Sequence, residues 1–324
     1  MKALVCHQIT DDFSGLEVRD IAVPEPGEGE VRVRVKAAGV NFPDLLMSQG
    51  KYQFKPELPF TLGMEVAGVI DAVGDGVTEW TPGDEVIGGN KTGAYAEYAV
   101  LSAVSLSRKP EPFTFAQAAA FPAAYITAYV ALVVRANLQP GETLLVHGAS
   151  GGVGMAAVDV GKLLGATVIA TSASDTKLNR VLEYGADYGI NVTQGFRDKV
   201  KTLTQGRGAD VIFDPVGGDV FDESVRCIAF DGRLLVVGFT SGRIPSINVN
   251  MPLIKGFSVV GVRAGEYGRQ FPERGLKNKA AIGQWAEEGK VRPHVFKEIP
   301  LDDWREAWRL MTDREVVGKV IIRP

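Results

Sequence analysis

The chain has 324 residues, which suggests about two domains on length alone. Its 45% apolar and 23% charged residues describe an ordinary globular enzyme rather than a disordered chain. A net charge of −4, with no block of basic residues, excludes a general attraction for nucleic acid or anionic membrane.

From the N-terminus, Met1-Lys-Ala-Leu-Val-Cys-His7 reads as a first strand and lacks a signal-peptide layout. The only cysteines, Cys6 and Cys227, cannot build a disulfide framework, so a reducing cytoplasm is the expected location. The first 115 residues are β-rich. Val31, Val33 and Val35 alternate with Arg32, Arg34 and Lys36, the period of a half-solvated strand, and turn signals recur at Gly74-Asp-Gly76, Pro82-Gly-Asp84 and Gly88-Gly89. Residues 116–134 turn helical, but Pro122 and the tyrosines deny them a membrane span.

Residues 143–262 then repeat strand and helix at intervals of about twenty, the rhythm of a doubly wound parallel sheet. Strands are predicted at 143–147, 167–171, 188–191, 211–214, 233–238 and 258–262, and helices near 152–164, 175–184, 196–204 and 219–229. Residues 263–290 and Trp304–Thr312 read as helices. Gly318-Lys-Val-Ile-Ile322 reads as a closing strand that leaves the repeat and returns to the first domain.

The first turn of that repeat carries the chemistry. Leu144-Leu-Val146 is an apolar strand, and Val153, Ala156, Ala157, Val160, Leu163 and Leu164 recur at helical spacing. Between them lies Ala149-x-Gly151-x-x-Gly154, one residue away from the usual dinucleotide fingerprint. Small residues let the backbone close on a pyrophosphate, and the new helix points free N–H groups at it. Ser150, Gly151, Gly152, Val153 and Gly154 are therefore candidate cofactor contacts.

Three N-terminal landmarks join this turn: Ala38-Gly-Val-Asn-Phe-Pro-Asp44, Pro59-Phe-Thr-Leu-Gly-Met-Glu-Val-Ala-Gly-Val-Ile70, and Val77 followed by Pro82-Gly-Asp-Glu-Val86. With Gly318-Lys319, these segments make the whole chain resemble the medium-chain dehydrogenase/reductase superfamily, in its zinc-free quinone oxidoreductase (zeta-crystallin-like) branch. The resemblance implies an α/β fold in two parts. A GroES-like catalytic domain would comprise residues 1–118 and 263–324, and a Rossmann NADPH-binding domain residues 119–262, with a cleft between them. It also implies a homodimer paired through the nucleotide domains, for which the apolar stretch Phe257–Val262 is suited if it forms a sheet edge.

Zinc-dependent relatives place Cys where this chain has Asn41 and His where it has Met64, leaving only Glu65 of the usual His-Glu pair. The lobe with four closely spaced cysteines is missing, and His7, His147 and His294 make no plausible ligand set, so no metal is expected. His147 reads as a core histidine rather than a catalyst. Without a metal to ionise an alcohol, the chemistry points to reduction of a quinone or an activated alkene, whose conjugation already spreads the incoming charge.

The end of the second nucleotide-domain strand selects the cofactor. Ser172 stands where NAD-specific proteins place a carboxylate, and Lys177 begins a helix close enough to balance a 2′-phosphate, so NADPH is expected. Asp175 is expected to cap that helix. Asn191-Val192 replaces a family Asn-Tyr pair and loses one phosphate contact. The resemblance adds Thr127 near the nicotinamide, Val216, Gly238 and Phe239 at strand ends, and Gly318 and Lys319 near the C-terminus, Lys319 being a cofactor contact or a solvated charge. Asn41 and Tyr52 are the catalytic candidates. Asn41 would face nicotinamide or a substrate oxygen, and Tyr52 would lie over the cleft mouth or remain a surface-loop tyrosine. Arg263 and Tyr267 are further candidates for the pocket rim. The expected partner is a small-molecule quinone, the alternative an enone or acyl thioester. The branch also includes lens structural proteins and single-stranded RNA binders; the acidic balance, without a basic, aromatic-studded groove, argues against nucleic acid.

Overall fold

The computed structural model describes residues 1–324 and divides into two compact units, Met1–Pro122 with Pro293–Pro324, and Ala123–Arg292. The first unit begins with β1 (Lys2–Cys6) and β2 (Leu16–Asp20), followed by β3 (Glu30–Gly39), α1 (Phe42–Ser48), β4 (Phe60–Thr61), β5 (Glu65–Val73), β6 (Glu85–Gly89), β7 (Tyr98–Ser102), β8 (Ser107–Arg108) and α2 (Phe115–Ala120). The second contains α3 (Pro122–Tyr129), β9 (Thr143–Val146), α4 (Gly152–Leu163), β10 (Thr167–Ser172), α5 (Asp175–Tyr184), β11 (Tyr188–Asn191), α6 (Arg197–Leu203), β12 (Ala209–Asp214), α7 (Gly218–Ser224), β13 (Ile228–Val236), α8 (Asn250–Lys255), β14 (Ser258–Gly261), α9 (Ala264–Gln270) and α10 (Pro272–Glu287). The chain then returns through β15 (Val295–Pro300), α11 (Trp304–Thr312) and β16 (Lys319–Arg323).

In the first unit β3 is the spine. It pairs antiparallel with β5, β7 and β16, and the alternation of its valines is realised as buried Val31, Val33 and Val35 against more exposed Arg34 and Lys36. The closing strand enters this sheet as expected, with Ile321 opposite Gly39. Helix α11 covers the core with Trp304 and Trp308, and Trp308 meets the buried Tyr95 ring edge-on at 5.9 Å.

The second unit is a six-stranded parallel sheet in the order β11-β10-β9-β12-β13-β14, the doubly wound arrangement that the repeat implied. Its strands bury Leu145, Ile169, Ile212 and Leu234 on one helix-covered face. The order reverses at β9, and in such sheets ligands gather outside the strand carboxyl ends at that point.

Three details depart from the sequence reading. Pro122 splits residues 116–134 into α2 and α3, and a π-helical turn over Val130–Arg135 follows. Helix α7 stops at Ser224 rather than near 229, and β13 starts five residues early at Ile228. Finally, α9 and α10 belong with the parallel sheet, whereas the sequence division ended that domain at 262. Trp285 packs its ring on Tyr129 at 5.3 Å, and the buried Asp159 carboxylate accepts the Arg292 amide N–H at 2.8 Å, so residues 263–292 are tied to the nucleotide unit.

Candidate functional site

Each unit carries its own share of the candidate residues. In the nucleotide unit, Gly148 adopts a positive φ of 55° as the chain leaves β9, a conformation that Gly tolerates and other residues resist. Gly151 is the N-cap of α4, and no side chain caps that helix. The first-turn amides, those of Gly152, Val153 and Gly154, thus point out of a helix N-terminus ready for an anion. A Cβ on Gly154 would sit 2.3 Å from the Gly148 carbonyl oxygen, so only glycine lets the turn close this tightly. Ser150 is buried at the centre of the turn. A pyrophosphate fits this cradle.

One strand over, Ser172 ends β10 and lies opposite Asn191 of β11. Its Oγ accepts the Ser174 N–H at 3.2 Å, which leaves the hydroxyl proton available for a ligand. Lys177 sits half-buried in the first turn of α5. The helix cap differs from expectation: Ser174, not Asp175, accepts the Lys177 N–H, and Asp175 instead accepts a 2.6 Å hydrogen bond from Asn191 Nδ2. Serine's shorter side chain reaches the amide from outside the helix, while Asp175 is already the first helical residue.

The next two strand ends are stitched together. Buried Asp214 accepts the N–H groups of Val216 and Gly217 at 2.8 and 2.9 Å, and burial raises its carboxyl above the usual range. Thr240 and Ser241 then donate backbone N–H groups to Pro215 and Val216. This brings the turn containing Val216 beside the turn containing Gly238 and the exposed Phe239. Thr127 lies on α3, where its hydroxyl donates to the Ala123 carbonyl at 2.7 Å. Arg263 is exposed next to α9, and the Tyr267 ring meets that of Phe271 at a tilt, 5.2 Å between centroids.

His147 is indeed a core histidine. Its ring nitrogens meet the hydroxyls of Thr171 and Ser224 at 2.9 and 2.8 Å, and burial lowers its pKa to about 3, so the ring stays neutral.

In the first unit, the link from β3 to α1 and the first residues of β5 and β16 bring three side chains to one point. Asn41 Nδ2 donates to Glu65 Oε1 at 2.9 Å and to the Gly39 carbonyl at 3.3 Å. Lys319 Nζ donates to Asn41 Oδ1 at 2.6 Å and to Glu65 Oε1 at 2.7 Å. The Lys319 side chain is only 8% exposed, which overturns its reading as a solvated charge. Gly318 makes this placement possible: it holds φ at 81°, and a Cβ there would meet the His294 carbonyl at 2.4 Å.

Beside this group, Asp44 is fully buried. Its Oδ2 accepts the Asn41 N–H at 2.9 Å and the Tyr95 hydroxyl at 2.7 Å, while Oδ1 has no partner. Burial pushes its pKa up to about 7, against the opposing pull of Tyr95, the Asn41 N–H and the Lys319 charge. Tyr52 follows α1 in a loop and packs half-buried against the core. Glu65, Asp44 and Tyr95 were not among the expected site residues; the carboxylate within the apolar run Leu62–Ile70 was the signal for Glu65.

No group of three His, Cys, Asp or Glu lies together to hold a metal ion. Asn41 and Glu65 are bridged instead by an ammonium, so a divalent cation does not fit this donor set.

Residues 27–111 match the family model for the alcohol dehydrogenase GroES-like domain, and residues 152–278 that for zinc-binding dehydrogenases. The chain is 40% identical over 326 residues to a quinone oxidoreductase-like protein 2 homolog of Nematostella vectensis, covering 99% of this chain and 88% of that one. Among solved structures it is similar to Escherichia coli quinone oxidoreductase complexed with NADPH (TM-score 0.91, 28% identity, 100% of both chains). It is also similar to the CurK enoyl reductase (TM-score 0.90, 27% identity, 99% of both chains).

Proposed function

Because the chain belongs to the quinone oxidoreductase family of the medium-chain dehydrogenases/reductases, we propose that it reduces quinones with NADPH and needs no metal ion to do so. The observation that carries this reading is the nucleotide seat. An uncapped helix N-terminus behind a turn only glycine can close lies one strand away from a β10 end that carries Ser172 instead of a carboxylate. When bound, NADPH supplies a hydride. The amides of α4 hold the pyrophosphate, while Ser172 and Lys177 hold the 2′-phosphate, the first by a hydroxyl and the second by charge. Val216, Gly238 and Phe239 at the strand ends, and Thr127 on α3, would be the nucleotide's further contacts. In the first unit, Asn41, Lys319 and Tyr52 are the candidate substrate-side residues, and Gly318 sets the backbone that carries Lys319.

Metal independence follows from the chemistry of the acceptor. A quinone carbonyl needs no ionisation before it takes up a hydride, only orientation and a donor for the charge that lands on oxygen. An activated alkene makes the same demands, and the similarity to an enoyl reductase favours it as the second reading. The β14 edge is our candidate for homodimer pairing: Val259 on the strand, and Leu253 and Ile254 on α8 before it, are exposed apolar residues.

Steady-state oxidation of NADPH and NADH with 1,4-benzoquinone and with a panel of enones and enoyl thioesters tests the assignment. A kcat/KM higher for the quinone, and higher for NADPH by about tenfold or more, is expected. Alkenes preferred by orders of magnitude would move the assignment to the second reading.

A further inference from the structure

Asn41 has little left to offer a substrate oxygen. Both Nδ2 hydrogens are spent on Glu65 and Gly39. Turning the amide over would press Nδ2 against the Lys319 ammonium and Oδ1 against the Glu65 carboxylate, so its orientation is locked by charge on both sides. Only the second lone pair of Oδ1 remains, and it can only accept a hydrogen bond.

The donor that the reaction requires therefore has to come from elsewhere, and the cluster supplies one. An ammonium has three N–H groups. Lys319 uses two, on Asn41 Oδ1 and Glu65 Oε1, and the third has no partner in the chain although the residue is 6% exposed. A buried cation is held in place by a carboxylate 2.7 Å away, with one donor unspent. Leaving such a donor unsatisfied is costly, and a ligand oxygen removes that cost.

We propose that Lys319 is a catalytic residue whose free N–H binds the carbonyl oxygen of the acceptor and stabilises the negative charge that hydride uptake leaves there. The proposal rests on the quinone-reductase reading. As the hydride's electron pair forms a C–H bond at a ring carbon conjugated with the carbonyl, the C=C pair shifts to the carbonyl side and the carbonyl π pair moves onto oxygen. That oxygen is held by Lys319 and later takes a proton from solvent, while Lys319 keeps its own. Exchange of a ring proton for one on the second oxygen, through solvent, completes the hydroquinone. Glu65 and Asn41 are positioning residues that fix the ammonium.

The test compares wild type with K319A and K319R. In apo protein, 4-nitrophenol serves as a mimic of the anionic oxygen. Wild type should favour the coloured phenolate over the phenol by about tenfold relative to free solution, and K319A should lose that preference. With NADPH and 1,4-benzoquinone, K319A should lose about 10²- to 10³-fold in kcat/KM, the scale seen when one oxyanion donor is removed. Its NADPH Kd should stay within about twofold, with ethylammonium restoring part of the rate and K319R retaining more activity than K319A. If K319A does not fold, E65Q/K319Q, which removes both charges together, carries the same expectations. Unchanged phenolate binding and turnover in the folded variant, or a loss confined to NADPH affinity, overturns the role of Lys319. A wild type that reduces no quinone but still prefers the phenolate overturns the function and spares the site.

Discussion

Replacing Asp44 by Asn should remove most of one pH dependence of stability. Asp44 sits at zero exposure, with Oδ2 accepting hydrogen bonds from the Asn41 N–H and Tyr95 and Oδ1 facing no donor, and its pKa rises to about 7 from an ordinary 3.8. Because Oδ2 is doubly occupied, the proton belongs on Oδ1. Between these two pKa values the native state keeps a proton that the unfolded chain has released. The group's stabilising contribution is therefore complete below pH 3.8 and is lost as pH rises through 7. The slope is about 1.4 kcal/mol per pH unit and flattens above pH 7, so wild type should lose about 3 kcal/mol from this site between pH 5 and 8. Urea titrations of both proteins at pH 5, 6, 7 and 8 measure it. The stability of D44N relative to wild type should climb by that amount and then level off. A difference independent of pH would refute the buried, proton-holding carboxyl.

Other expectations concern the nucleotide unit. Gly154→Ala places a methyl 2.3 Å from the Gly148 carbonyl, so the turn must open; stability should fall by about 1–3 kcal/mol, read by urea melts, and NADPH affinity should fall with it, read by calorimetry. Ser172→Asp puts a carboxylate at the β10 end and should shift preference toward NADH by about tenfold or more in kcat/KM. His147, neutral with its pKa lowered to about 3, contributes stability above its ordinary 6.5 that is lost as pH falls through 3. His147→Asn should therefore lose less stability than wild type between pH 6 and 4 in urea titrations.

The architecture was legible where local pattern and global fold agree. The strand-helix rhythm of residues 143–262 and the apolar run after Gly318 each announce their sheet, because burial on both faces demands continuous hydrophobic strands. The Lys319–Glu65–Asn41 cluster was not legible as a unit. Its members are separated by up to 278 residues, and only the pairing of β16 with β3 brings Lys319 to Asn41. A lysine before a run of apolar residues looks the same in sequence whether it faces water or a buried carboxylate. Likewise, nothing local distinguishes α10 as part of the nucleotide unit, since Trp285 finds Tyr129 only in the folded state. The cap of α5 was missed by one residue for a simpler reason: Ser174 and Asp175 are both good caps, and the register of the helix decides between them.

The most direct measurement is turnover of 1,4-benzoquinone by NADPH in protein stripped with a strong chelator, with its metal content determined on the same sample. Full activity at negligible zinc is what the ammonium between Asn41 and Glu65 leads us to expect. Activity that disappears with the metal and returns with one equivalent of zinc would contradict the account.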